Sequence, residues 1–322
     1  MRVLGSGLGV LLLSSCGFRE CEPIDEALVA LLPARLSESG LYPALAPGEV
    51  PGDIVADDVI AYAPRFGLWS DGAEKRRWIR LPAEGVIDTS DPDEWRFPEG
   101  TRAWKEFVRD GVRVETRVFE RVGPEDADWV GAAYLWSEDD TDATLAIEGE
   151  VDARGTAHDV PAAETCAGCH GGRKSFLLGF SAVQLAGVEG VDLAALAAAG
   201  RLSEPVPEPT VPGDDLDQQA LGYLHANCSH CHNQDRPERS GSRCYDPDNG
   251  LDFSLLAGSP ALADTPALET ADQAIGHGEA SELLWRISER NTSGFAPSMP
   301  PLATEVVDAE AIETLTAWIA RR

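Results

Sequence analysis

Cys166-Ala167-Gly168-Cys169-His170 and Cys228-Ser229-His230-Cys231-His232 are the two stretches around which the chain is organised. In each, two thiols stand three residues apart, the spacing of one helical turn, and an imidazole follows the second at once. Two thioether bonds to the vinyl groups of a porphyrin, with an axial imidazole beneath the iron, need that spacing. Each stretch therefore reads as an attachment site for a covalently bound haem c. Cys166, Cys169, Cys228 and Cys231 are the expected attachment residues, and His170 and His232 the expected iron ligands. A zinc ribbon would hold its Cys pairs closer in sequence, and a redox dithiol does not require the adjoining His. The repetition of the motif outweighs both alternatives.

A low-spin iron needs a sixth ligand. The chain has only two Met, and Met1 falls in the segment expected to be removed. Met299, in the Pro-flanked loop Ser298-Met299-Pro300-Pro301, is the expected thioether ligand of the second haem. That leaves a His or an open position for the first. Outside the two proximal imidazoles stand His158, His225, His230 and His277. A structural role is expected for each: His225 and His230 packing or facing solvent near the second haem, and His277 in a turn.

Composition bounds the partners. The 322 residues carry a formal charge of −29, from 26 basic and 55 acidic groups. Such a surface argues against nucleic acid or an anionic membrane as the main partner, and suits a basic redox partner protein met under salt-sensitive steering. Val3 to Leu13 is an apolar run too short to span a bilayer, which reads as a secretory signal. Leu13-Ser14-Ser15-Cys16 resembles a bacterial lipobox, with Cys16 as the lipidated residue. Gly17, rather than an Asp, points to the outer membrane. A periplasm-facing, lipid-anchored protein of the cell envelope is expected, in keeping with haem attachment outside the bacterial cytoplasm. Cys21 and Cys244 are left over, as a disulfide or as free thiols.

The expected fold class is α+β: a β-rich antiparallel domain carrying the first haem, then an all-α domain carrying the second. Residues 1–15 form the signal, 16–59 a lead-in, 60–202 the β-rich domain, 203–213 a Pro-rich linker and 214–322 the helical domain. Thr101 to Arg109 and Val112 to Val122 flank Asp110-Gly111, a two-residue hairpin signal. Alternation in the second strand puts Val112, Val114, Thr116, Val118 and Val122 on one face and Arg113, Glu115, Arg117 and Arg121 on the other, as in a half-buried strand. Further strands are expected at 76–81, 129–136 and 144–148, a short helix at 24–32 and a longer one at 176–202. A helix from about Asp214 enters the second motif. Another runs from the N-cap Asp308, with Ile312, Leu315 and Ile319 on one stripe. The turn Asp246 to Asp252 is rich in Asp and Gly but lacks calcium-loop spacing.

Gly67-Leu68-Trp69-Ser70-Asp71-Gly72-Ala73-Glu74-Lys75-Arg76-Arg77, Phe97-Pro98-Glu99-Gly100-Thr101, Glu115-Thr116-Arg117, Glu138-Asp139-Asp140-Thr141-Asp142-Ala143, both haem motifs and Met299-Pro300-Pro301 follow one another in order. The series resembles a bacterial family of dihaem c-type cytochromes whose relatives accompany PQQ-dependent sugar dehydrogenase domains. The last part is similar to the class I cytochrome c domain. More weakly, the first half resembles the β-type cytochromes c′ and their relatives with a Lys crosslinked to the porphyrin. Lys105 holds that place, although the residue itself reads as an exposed strand lysine. The resemblance implies one-electron transfer with two haems and a redox partner such as a dehydrogenase or a basic cytochrome. The competing expectation is an enzyme whose first haem is open to peroxide, nitric oxide or hydroxylamine.

Overall fold

The computed structural model describes residues 26–44, 54–234, 250–259, 261–275, 281–290, 298–301 and 304–322. Cys16 and its leader, Cys21, Cys244, His277 and residues 246–249 lie outside the described residues. The chain is an α+β protein. Six antiparallel strands form a meander in chain order: β1 (Ile60–Ala61), β2 (Glu74–Arg80), β3 (Arg102–Arg109), β4 (Val112–Arg121), β5 (Trp129–Trp136) and β6 (Ala143–Ala146). Asp110 and Gly111 turn the β3–β4 hairpin with φ of 51° and 79°. Both are in the left-handed region that such a two-residue turn requires.

Strand β4 departs from simple alternation. Its register with β3 slips between Phe107 and Val108, and the bulge turns Val112 and Val114 to the opposite face from Thr116 and Val118. Val112 and Val114 pack with Ala133 and Val160, whereas Val118 packs with Trp104 and Trp136. Arg113 crosses over in exchange, its guanidinium 4.1 Å from the centre of the Trp136 ring. Nor is the strand half-buried. Glu115 and Thr116 are both fully buried, because each face of the sheet is covered. On one side lie α1 (Glu26–Val29) and the segment carrying Leu36, Leu41 and Tyr42, packed on Trp78, Trp104 and Tyr134. On the other lies the loop system that carries the first Cys-x-x-Cys-His motif.

That loop system contains α2 (Cys166–His170), α3 (Ala182–Leu185) and α4 (Leu193–Ala198). The single helix expected over 176–202 is absent. Gly179, Gly187 and Gly190 adopt φ of 81°, 64° and 93°, which breaks any right-handed helix into these short pieces. The Pro-rich stretch 203–213 is extended, as expected, yet fastened to the body. Ser203 Oγ accepts from the Thr89 amide at 2.9 Å, Glu208 from the Gly187 amide at 2.6 Å, and Val211 is buried.

Beyond it come α5 (Asp215–Asn227), α6 (Pro266–Ile275), α7 (Glu282–Ser288) and α8 (Ala309–Ile319). Asp214 caps α5 in a reciprocal capping box with Asp217, and Asp308 caps α8 by accepting from the Ala311 amide, which satisfies amides that have no partner within the helix. Helix α8 packs on α5 through Leu315 and Trp318, both fully buried, and the Trp318 indole donates to Asp217 Oδ1 at 2.8 Å. Among the described residues no helix is long and apolar enough to cross a membrane.

Candidate functional site

Helix α2 brings the first motif onto the sheet. The His170 ring lies over Phe119 of β4, centroids 4.0 Å apart, with Phe176 at 5.7 Å. His170 Nδ1 is 2.8 Å from the Phe176 carbonyl oxygen. A carbonyl only accepts, so Nδ1 carries the proton and Nε2 is the nitrogen left with a free lone pair. Burial pulls the pKa of His170 down to about 4, so the ring is neutral, the form in which an imidazole binds a metal.

Phe119 is itself set by a glycine. It pairs across the ladder with Gly131, and a Cβ on Gly131 would stand 2.2 Å from the Phe119 ring. Gly131→Val is therefore expected to drive that ring towards His170 and to destabilise the fold by about 1–3 kcal/mol, the usual range for overpacking. A thermal melt checks this, and an unchanged midpoint would remove Phe119 as the platform under His170.

The second motif follows α5 directly. The Cys228 carbonyl accepts from the amides of Cys231 and His232 at 3.1 and 2.8 Å, keeping the motif in a tight turn. His232 is buried with its ring edge-on to Phe253, centroids 5.9 Å apart. Burial pushes the thiols of Cys166 and Cys228 up to about 12. Met299 packs half-buried on the apolar cluster that also holds Cys228 and Phe253, its amide donating to the Arg286 carbonyl at 2.9 Å and its carbonyl accepting from Arg290.

The two motifs, sixty-two residues apart, meet. The ligand atoms of Cys169, His230 and Cys231 all lie within 4.8 Å of one another. Hydrogen bonds from Cys231 and His230 hold Cys169 well below the usual thiol range. His230, expected to pack or face solvent near the second haem, is instead half-buried and directed at the first motif. Nothing in the local pattern of either stretch shows this; the only trace is the additional His inside Cys-Ser-His-Cys-His.

Arg173, three residues beyond His170, locks the junction. Its guanidinium donates to Glu94 Oε1 at 2.8 Å, Ser254 Oγ at 2.8 Å and Ser229 Oγ, inside the second motif, at 3.1 Å. Asn233 Nδ2 adds a bond to the Gly172 carbonyl at 3.0 Å. A second seam is made by the Gly67-to-Gly72 block. The Trp69 amide donates to Asn227 Oδ1 at 2.7 Å, and Asp71 accepts from the amides of Glu305 and Val306. Gly222 of α5 lets Phe66 approach so closely that a Cβ there would be 2.2 Å from its ring.

The other two described histidines, His158 and His225, have structural partners. His158 Nε2 lies 2.8 Å from Glu115 Oε1. His225 Nδ1 accepts from the Leu255 amide at 3.0 Å, and burial pulls its pKa down to about 3. Lys105 is not an exposed strand lysine. It is half-buried on the same sheet face as Phe119, between Arg77 and Arg117 in the ladder.

The donor set suits a covalently held haem at each motif. In the first, paired thiols share one helical turn with an imidazole whose Nδ1 is engaged; in the second, the thiols and a buried imidazole share one tight turn. Comparison with protein-family models, with curated proteins and with solved structures finds no match to this chain.

Proposed function

We propose that the chain is a dihaem c-type cytochrome that passes single electrons, and that it works in the bacterial cell envelope on a lipid anchor at Cys16. Bound at Cys166/Cys169 and Cys228/Cys231, the two haems would supply the one-electron couple. The protein's part is to fix imidazole tautomers, exclude water and set nearby charge. The observation that carries this reading is the meeting of Cys169 with Cys231. Electronic coupling falls steeply with distance, and thioether residues of the two motifs in side-chain contact make a short path between the groups they hold. Arg173, bonded to a residue of the second motif and only three residues from His170, keeps that path rigid.

Residues 214–322 are read as a class I cytochrome c-like unit. The helix entering the motif, the crossing C-terminal helix and Met299 in the cluster around Cys228 support it. His232 and Met299 are its proposed axial pair. The charge of −29 favours a basic redox partner, such as a second cytochrome or a dehydrogenase, whose reduction rate should fall with salt.

Haem content decides the proposal. The purified protein is expected to hold two haems per chain by pyridine haemochrome assay, and Cys166→Ala with Cys169→Ala to hold one. A haem-free protein with a metal on Cys169, His230 and Cys231 would overturn it. Met299→Ala is expected to abolish the far-red thioether-to-iron band and to lower the potential of one haem only; an unaltered spectrum would remove Met299 as a ligand.

One observation favours the alternative of an enzyme. His158, the upstream candidate for a sixth ligand at the first haem, is committed to Glu115, and the site is open on this reading as long as His230, which reaches the first motif, stays off its iron. Carbon monoxide binding to one haem of the two would support this second reading, and its absence would support pure relay.

A further inference from the structure

Three cross-strand rows run over the sheet face that bears His170. Ile79, Ala103 and Phe119 form an apolar row; Arg77, Lys105 and Arg117 form the next; Lys75, Phe107 and Glu115 form the third. The middle row is cationic on all three strands, and Lys75 adds a fourth positive group diagonally. Like charges directly opposite one another destabilise a sheet. Here they recur across two ladders.

The fold supplies little to neutralise them. Glu115, fully buried, is held by Arg117 at 2.5–3.0 Å and by His158 at 2.8 Å. Lys75 Nζ donates to the Leu68 carbonyl at 2.7 Å, with Asp71 and Asp308 acting on it from farther off. Tyr62 is the group that faces Arg77. Among the described residues neither Arg77 nor Lys105 makes an ion pair, and the one carboxylate acting on Lys105, from farther off, is Glu115, already held by Arg117 and His158. The Lys105 ammonium instead sits 4.7 Å from the centre of the Phe107 ring, which also takes the Arg117 guanidinium at 4.3 Å. Burial, with Arg77, Arg117 and Lys75 around it, pulls the pKa of Lys105 well down, and that of Lys75 falls to about 8. In a chain with 55 acidic residues, half-buried cations left in such a row are charges that await a counter-charge.

The geometry points to an oxyanion site: a carboxylate or small oxyanion held by Lys105 and Arg77, flanked by Arg117 and Lys75, one row from the ring on which His170 packs. Lys105, which a bound anion would hold in its charged form, and the planar guanidinium of Arg77 opposite it in the ladder offer the charge-assisted donors that such a group needs. The same chemistry has two sources: the propionates of a haem at Cys166 and Cys169, or a free small oxyanion delivered to that haem. The first source rests on the proposed function; the site itself does not.

The test uses the full-length protein as purified, with Lys105→Gln and Arg77→Gln beside it. Sodium nitrite and sodium acetate are titrated calorimetrically at constant ionic strength, and the potential of the first haem is followed against pH. Saturable binding weakened about tenfold or more by either substitution assigns a free oxyanion. No binding by the wild type, together with a pH-dependent step in the first haem's potential that appears only in the variants, assigns the propionates. Absence of binding with identical pH profiles in all three proteins overturns the site. If the haemochrome assay finds no haem, the calorimetric result alone decides the site, and the dihaem reading falls separately.

Discussion

Arg173→Leu is expected to lower the stability of the fold by about 3–5 kcal/mol, the range for removing one partner of a buried ion pair. Glu94 and Arg173 are 2% and 9% exposed in their side chains, so solvent does little to screen either. Leucine would fill part of the volume but leave the Glu94 carboxylate without its cation and the hydroxyls of Ser229 and Ser254 without their donor. Arg173→Lys keeps the charge yet has no fork to serve three acceptors at once, so an intermediate loss is expected. The double replacement Arg173→Leu with Glu94→Leu should recover much of the deficit, because no charge is then stranded. Urea unfolding at neutral pH measures all three. Should the single leucine variant unfold within about 1 kcal/mol of the parent, Arg173 is not what holds the motifs together.

Glu115 is the second position where a large effect is expected. Burial works against its charge, but Arg117 and His158 prevail and hold its pKa below the usual carboxylate value of 4.5. A carboxyl with a depressed folded pKa adds stability in full above the unfolded value and loses it as pH falls through the folded one. The wild type should therefore lose stability on acidification below about pH 4.5 more steeply than Glu115→Gln, which has no proton to take up there. At neutral pH, Glu115→Leu strands Arg117 and should cost about 3–5 kcal/mol. Glu115→Gln should cost less, since an acceptor for His158 remains. Denaturation curves at pH 7 and pH 4 provide the comparison; parallel acid limbs for wild type and Glu115→Gln would mean the carboxylate adds nothing.

What the sequence revealed and what it hid divide along physical lines. Local chemistry was legible: Asp110-Gly111 turned as expected, Trp129 to Trp136 formed a strand with those ends, and Asp214 and Asp308 capped their helices. Each rests on interactions within a few residues. Alternation failed in β4 because a bulge at one ladder position reverses every assignment on its far side. Burial failed there as well, because Glu115 and Arg117 look like solvent-facing residues until the long-range partner His158 is known. The helix expected over 176–202 overlooked three glycines that take left-handed backbone. The site divides in the same way. Each Cys-x-x-Cys-His stretch announces its own ligands, but the contact between the stretches, the Arg173 lock and the cationic row depend on which strands are neighbours.

The Asp71 contact has a consequence for how the chain is completed. The carboxylate holds amides 234 and 235 residues further on, and Trp69 donates from its indole to the Val306 carbonyl at 2.9 Å. Contacts of such separation close late, since a long loop must lose its freedom before they return anything. Trp69 and Asp71, which precede most of the sheet, therefore complete this seat only once Glu305 and Val306 have emerged. Early and late sequence mature together, and a chain stopped short of Glu305 would leave Asp71 and the Trp69 indole without these partners.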